Sequence, residues 1–485
     1  MLKKVLITGV IAAWLLIGPL MDHALAEPTS VTAAIAKAQT SADTGYVLLC
    51  AALVLLMTPG FAFFYGGFVR SRNVLNTMMM SFILMALVGV TWILWGYSLS
   101  FSPGFPFIGG LQWLGLNGVS HIDTTGYLPH MAYEDALHAA NPNYSDVASY
   151  SPTIPHQAFM IYQAMYAVIT PALISGAIVE RASFRAYFLF VLLWSTLVYC
   201  PIAHMVWAKG GLIGRYGGFG ALDFAGGTVV HISAGVSALV AAWVIGPRQT
   251  YPNKPAPPHN VPFILLGASL LWFGWFGFNA GNALASGSLA TVAFVSTNTA
   301  TAGAALTWTL LEWGWRGKPT AIGLATGGIA GVVGVTPAAG FVTPLGALLI
   351  GAIVALCCFF AVTFKAKLEF DDTLDTFPVH GVAGTLGAIL TGVFATTAVN
   401  SAGANGLLFG NPSQVLKQLA AVGITYVLAG VGTFIILKIL DVTVGLRPQM
   451  EKEIQGMDIN EHGEAGYGED FASGFNFTSS SNEWR

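Results

Sequence analysis

The chain has 485 residues, 55% of them hydrophobic and only 9% charged, with a formal net charge of −3. A soluble domain carries about 25% charged residues, and a chain of this length needs far more polar surface than this to stay in water. The composition therefore excludes a soluble enzyme or a nucleic-acid binder and defines an integral membrane protein.

The first 26 residues read as a unit of their own. Lys3 and Lys4 precede an apolar run from Val5 to Leu20, and Ala24-Leu25-Ala26 follows. A charged start, a short apolar core and small residues at the end predict a removable signal peptide over 1–26. An uncleaved first helix is the other reading, but the run is short for a bilayer core of about 30 Å. Residues 27–44 are then a short periplasmic segment, and 45–447 the membrane domain.

Within that domain, apolar windows predict eleven spanning helices. They are 45–68, 74–100, 158–179, 186–207, 224–246, 262–283, 290–312, 320–341, 345–364, 379–397 and 415–440. Many of the 57 glycines and a few of the 23 prolines fall inside these runs, and both types are commoner in packed membrane helices than in soluble ones. Cys50, Cys200, Cys357 and Cys358 also lie in apolar stretches, without metal-type or disulfide spacing. Neither a metal nor another cofactor is expected.

Basic residues fix a predicted orientation. Arg70/Arg72, Arg181/Arg185, Arg248/Lys254, Arg316/Lys318, Lys365/Lys367 and Arg447 fall in alternate connections, whereas the others hold only Lys209, Arg215 and Lys417. By the positive-inside rule the N-terminus is periplasmic and the C-terminus cytoplasmic, in a multi-pass protein of the cell inner membrane. The tail 448–485, with eight acidic and two basic residues, reads as irregular and as a contact surface rather than part of a pore.

An internal repeat carries the chemistry. Asp223-Phe-Ala-Gly-Gly-Thr-Val-Val-His231 and Asp372-Thr-Leu-Asp-Thr-Phe-Pro-Val-His380 each place an aspartate eight positions before the histidine of V-H-x-x-A-G. The first belongs to span five and the second to span ten. This predicts an all-α polytopic fold of two inverted five-helix repeats plus one extra helix. One buried histidine is plainly read as a helix-packing hydrogen-bonder. Two in matched positions point to a functional pair of neutral imidazoles, able to hydrogen-bond a small polar molecule or pass a proton. Asp223 reads either as a helix cap or as a source of negative charge near the outer face.

Aromatic residues form the second group. Trp207 ends span four, Trp272-Phe-Gly-Trp275-Phe-Gly-Phe278-Asn279-Ala-Gly-Asn282 occupies span six, and span three carries Phe159, Tyr162 and Tyr166. Ordinary core packing accounts for most such rings. Rings gathered at an outer vestibule would attract a small cation, at about 0.5–2 kcal/mol per contact.

At these residues the chain resembles the ammonium transporter (Amt/Mep/Rh) family. The marks are F-F-Y-G-G at 63–67, P-I-A-H-M-V-W at 201–207, D-F-A-G-G-T-V-V-H at 223–231 and W-F-G-F-N-A-G at 275–281, then G-V-T-P at 334–337, D-T-F-x-V-H-G at 375–381, D-V-T-V-G-L-R at 441–447 and G-M-D-I-N-E-H-G-E-A-G-Y at 456–467. The resemblance implies a homotrimer with one pore per subunit, in which ammonium is recruited at an outer aromatic site, loses a proton and crosses as ammonia. It makes His231 and His380 the twin pore histidines and Trp207 the recruiting tryptophan, with Tyr166, Asn282 and Asp223 in the same recruitment site. Asp223 matches an essential aspartate, Trp275 a pore-lining tryptophan, and Tyr162 is expected at the pore wall. Tyr166 and Phe278 take the places of two stacked gate phenylalanines, and Asn282 takes that of a recruitment serine. The tail motif implies contact with a PII-type regulatory protein. The rival reading is an ammonium sensor with slow or no transport, whose fused signalling domain would need more chain than the 38 residues of the tail 448–485.

Overall fold

The computed structural model describes residues 2–121, 150–151, 153–249, 251–252, 257–365, 367 and 370–468. Its apolar helices are α1 (Leu2–Phe68, with the apolar span at Ala34–Phe68), α2 (Ser71–Phe101), α3 (His156–Ile178), α4 (Phe184–Trp207), α5 (Gly227–Ile245), α6 (Val261–Ala283), α7 (Ser288–Arg316), α8 (Ala321–Val335), α9 (Pro344–Lys365), α10 (Phe377–Phe394) and α11 (Ser413–Thr443). Ten are long enough to cross a membrane by themselves, and α8, at 15 residues, is the short eleventh. The predicted span at 320–341 ends early because the chain turns at Thr336-Pro337 and returns through residues 336–342. At the other extreme, α1 begins well before residue 45. Asp43 is fully buried in it and accepts hydrogen bonds from Gln39 and from the Ser286 amide and hydroxyl. The long connection between α2 and α3 opens with a two-stranded antiparallel hairpin, Gly104–Phe105 against Ile108–Gly109.

Local chemistry sets the helix starts. Ser183, Asn260 and Thr320 each accept a hydrogen bond from the amide three residues on, capping α4, α6 and α8. Small residues then set the packing, as membrane helices require. The first helices of the two halves, α1 and α6, cross so closely that a Cβ at Gly267 would lie 2.3 Å from the Phe64 amide nitrogen. In α3 most side chains are buried, and in α11 most face outward, so α3 occupies the middle of the bundle and α11 its periphery.

Four helices contain π-helical turns, at Trp92–Gly96, Ser195–Tyr199, Gly227–Ile232 and Phe377–Val382. The last two open α5 and α10. These wide turns free backbone groups and are common at functional sites. Here they carry the two repeated histidines.

The end of the bundle holding the basic connections is tied by buried ions. Glu180 accepts from the Arg70 amide and guanidinium, from Asn73 and from Arg248, at 2.8–3.0 Å. Arg248 also grips both carboxylate oxygens of Asp371 at 2.9 Å. Burial alone would raise the Glu180 carboxyl, but Arg70 and Arg248 overcome it and hold the group at about 2. Three inter-helix connections and the segment before α10 are thereby locked together.

The tail is not irregular throughout. It forms α12 (Met450–Gln455) and α13 (Met457–His462), which lie across this same end. Asp458 accepts from the amides of Leu75 and Asn76 at the start of α2, Glu461 from that of Phe184 at the start of α4, and Glu453 from Arg447. Its acidic residues thus answer the unpaired amides of helix N-termini, which attract negative charge. Residues beyond 468 lie outside the described residues.

Candidate functional site

Each repeated aspartate opens a broken helix. Asp223 accepts from the amides of Gly226, Gly227 and Thr228 at 2.7 Å, from that of Val229 at 3.4 Å, and from the Thr228 hydroxyl. Asp372 accepts from the amides of Thr376 at 3.1 Å and Phe377 at 2.7 Å. Both carboxylates are therefore helix caps, one of the two roles open to Asp223 from the sequence. They start α5 and α10 from opposite ends of the bundle, so that the wide turns meet inside it.

Where they meet, glycine is required. A Cβ on Gly235 would lie 2.3 Å from the Gly381 nitrogen, and one on Gly384 would lie 2.9 Å from the His231 Cβ. This close crossing stacks the two imidazoles, with ring centroids 5.5 Å apart and planes 22° from parallel. Both rings are buried. Neither nitrogen of His231, and not the Nδ1 of His380, has a hydrogen-bond partner among the described residues. Buried polar atoms are usually satisfied, and these three ring nitrogens are left without a partner from the described residues.

Aromatic rings continue the row. Trp275 also stacks with His231 at 5.5 Å, and is fixed by a hydrogen bond from Nε1 to the Thr336 hydroxyl. Phe278 lies 6.0 Å from His231, Tyr166 lies 4.3 Å from Phe278, and Trp207 meets Tyr166 edge-on at 5.6 Å. Trp207 is oriented by its own Nε1, which donates to the Asp223 carbonyl at 3.1 Å. The two residues expected to form the gate are in contact, but Tyr166 adds a hydroxyl that a phenylalanine lacks. That hydroxyl donates to the Phe278 carbonyl and receives the Asn282 amide at 2.6 Å.

Tyr162, expected at the pore wall, lies beside Tyr166 on α3. Its hydroxyl is buried among Tyr166 and the carbonyls of Gly277 and Phe278, and it lines neither of the two cavities at the ends of the row. It sits behind Tyr166 because the polar end of a buried tyrosine needs partners. Asn282 turns its amide nitrogen to Tyr166 and Phe278 at 2.6 and 2.9 Å. The residue also lines the first cavity.

That first cavity, about 50 Å³, is walled by Trp207, Asp223, Asn282, Phe159, Phe224 and Arg215 among others. It has room for a water-sized molecule or two. At the far end of the row, His380 opens on a second cavity of about 360 Å³ with Tyr65, Glu312, Thr373 and Asp375 in its wall. Sequence reading missed this second cavity. The only signal available was the position of Asp375 inside the quoted D-T-F-x-V-H-G motif. Glu312 pairs with Arg316 one turn on in α7, but its contact with Thr320 depends on the turn between α7 and α8. Among the described residues no cluster of histidine, cysteine and carboxylate groups could hold a metal.

Eleven apolar helices around a buried histidine pair, with a cavity at either end, define a polytopic membrane transporter. Residues 45–467 match the model of the Ammonium Transporter Family. The chain is 48% identical to the ammonium transporter of Bacillus subtilis over 426 residues, 88% of this chain and 98% of that protein. In structure it resembles Candida albicans Mep2 with a TM-score of 0.76 and 33% identity, covering 92% of this chain and 93% of that one. A protein described as a sensor Amt protein is also similar, at a TM-score of 0.74 and 25% identity over 87% of this chain and 99% of that one. The chain belongs to the ammonium transporter family. That membership makes it a transporter rather than an enzyme, with ammonium as its substrate.

Proposed function

We propose that the chain captures ammonium in the cavity at Trp207, strips it of a proton there and conducts ammonia past Tyr166, Phe278, His231 and His380 to the larger cavity. The continuous row of rings from Trp207 to His380, no step longer than 6.0 Å, is the observation that carries this reading. Trp207 offers a ring face to a cation, and the Asn282 carbonyl oxygen accepts one of its N–H bonds. Moving a bare ion into the apolar row would cost many kcal/mol, whereas neutral ammonia loses little. Deprotonation also excludes potassium, which has no proton to release. Past the gate, the orphaned histidine nitrogens replace the hydrogen bonds that ammonia leaves behind in water. A proton relay along the two imidazoles would make transport electrogenic.

The distribution of Lys and Arg supports a periplasmic Trp207 cavity and a cytoplasmic Glu180 end in the inner membrane, after cleavage of residues 1–26. Assembly as a homotrimer and docking of a PII-type regulator on the cytoplasmic face beside α12 and α13 belong to the same reading. The capture step is tested by ammonium flux into proteoliposomes. Trp207→Ala should raise KM about two- to thirtyfold, the range set by a cation–π contact of about 0.5–2 kcal/mol. An unaltered KM would remove Trp207 from capture.

A further inference from the structure

Arg215 lies in the segment between α4 and α5 and shares the first cavity with Trp207, Asp223 and Asn282. Its guanidinium carbon lies 4.5 Å from the ring centroid of Tyr216 and 5.8 Å from that of Phe341, and both rings line that cavity too. Nη1 donates to the Ala402 carbonyl at 3.2 Å, and Nη2 to the Tyr216 hydroxyl. None of these contacts involves a carboxylate. The acidic group sharing the wall, Asp223, is committed to backbone donors at the start of α5. A cavity suited to a cation thus carries a fixed cation of its own, laid over two of its aromatic faces.

We propose that Arg215 is a specificity-determining residue of the capture site, weakening ammonium binding and by the same repulsion favouring loss of the ammonium proton. The inference rests on capture at the Trp207 cavity. A neighbouring like charge disfavours the charged form of an acid, and ammonium is such an acid. Its N–H bond breaks heterolytically, the electron pair stays on nitrogen as ammonia, and the proton passes to water on the outer side. Removing the guanidinium lets ammonium bind more tightly and hold its proton longer. Affinity and turnover then move in opposite senses, which loss of a purely structural contact would not produce.

The test is concentration-dependent ammonium flux in proteoliposomes of the full chain, comparing wild type, Arg215→Gln, Arg215→Lys and Trp207→Ala. Arg215→Gln is expected to lower KM about three- to tenfold and to lower maximal flux as well, while Arg215→Lys, keeping the charge, returns both toward wild type. Raising sodium chloride from about 20 to 300 mM should lower KM in the wild type by screening the repulsion, and leave Arg215→Gln unmoved. A KM for Arg215→Gln that is unchanged or raised, or a lysine variant that behaves like the glutamine one, overturns the inference. Should Arg215→Gln fail to fold, the wild type's salt dependence decides, and a KM that does not fall with salt is equally fatal. If Trp207→Ala raises KM and Arg215→Gln does nothing, only this inference fails. If Trp207→Ala leaves KM alone, the capture reading fails with it.

Discussion

Single residues in this site serve as both scaffold and surface. Asp223 is the clearest case, since its carboxylate collects backbone amides while its carbonyl steers Trp207. Replacing it with alanine leaves five donors on buried residues without their acceptor. Asp223→Ala should cost about 1–2 kcal/mol of stability, seen as a lower melting temperature in detergent. A variant with wild-type melting and only a changed KM would assign the residue to charge alone. The aspartate–histidine repeat was legible in the sequence because both members recur at the same spacing. The wide turns beneath the histidines were not, since an i→i+5 hydrogen bond leaves no mark in residue type. The placement of Tyr162 behind Tyr166 was hidden for a related reason: a ring on an apolar helix gives its face only once its neighbours are known.

At the level of helices, the crossing of α5 and α10 sets the distance between the histidines. Gly235 is its tightest point. Alanine there would gain about 1 kcal/mol in helix propensity, but its Cβ would press on the Gly381 backbone at 2.3–2.4 Å, and overpacking of this kind costs about 1–3 kcal/mol. Gly235→Ala should therefore melt earlier and lose flux as the imidazoles separate. Equal stability and flux would mean that the crossing is slack. All eleven predicted spans correspond to apolar helices, because a bilayer core demands a minimum apolar length that sequence reveals directly. Their ends were less legible. Asp43, ahead of the predicted span in α1, meets Ser286, 243 positions away, and the short α8 ends at the turn at Thr336-Pro337. The order in α12 and α13 was missed for the same cause, as Asp458 finds its partners 382 and 383 positions back in the chain.

For the whole molecule, the two halves bring matched elements together: capped helices entering from opposite ends, histidines stacked where they cross, and a cavity at either end of the row of rings. The buried ions at the Glu180 end and the folded tail hold the helix ends around the larger cavity, while the aromatic residues and Arg215 shape the smaller one. The central claim is that the histidine pair lets neutral ammonia pass and bars ions. Its most direct test is the current triggered by ammonium and by potassium in proteoliposomes, wild type beside the double variant His231→Ala/His380→Ala. The account predicts an ammonium response without potassium current in the wild type, and either loss of the ammonium response or new potassium permeability in the variant. An ammonium response of equal size and selectivity in both proteins would contradict it.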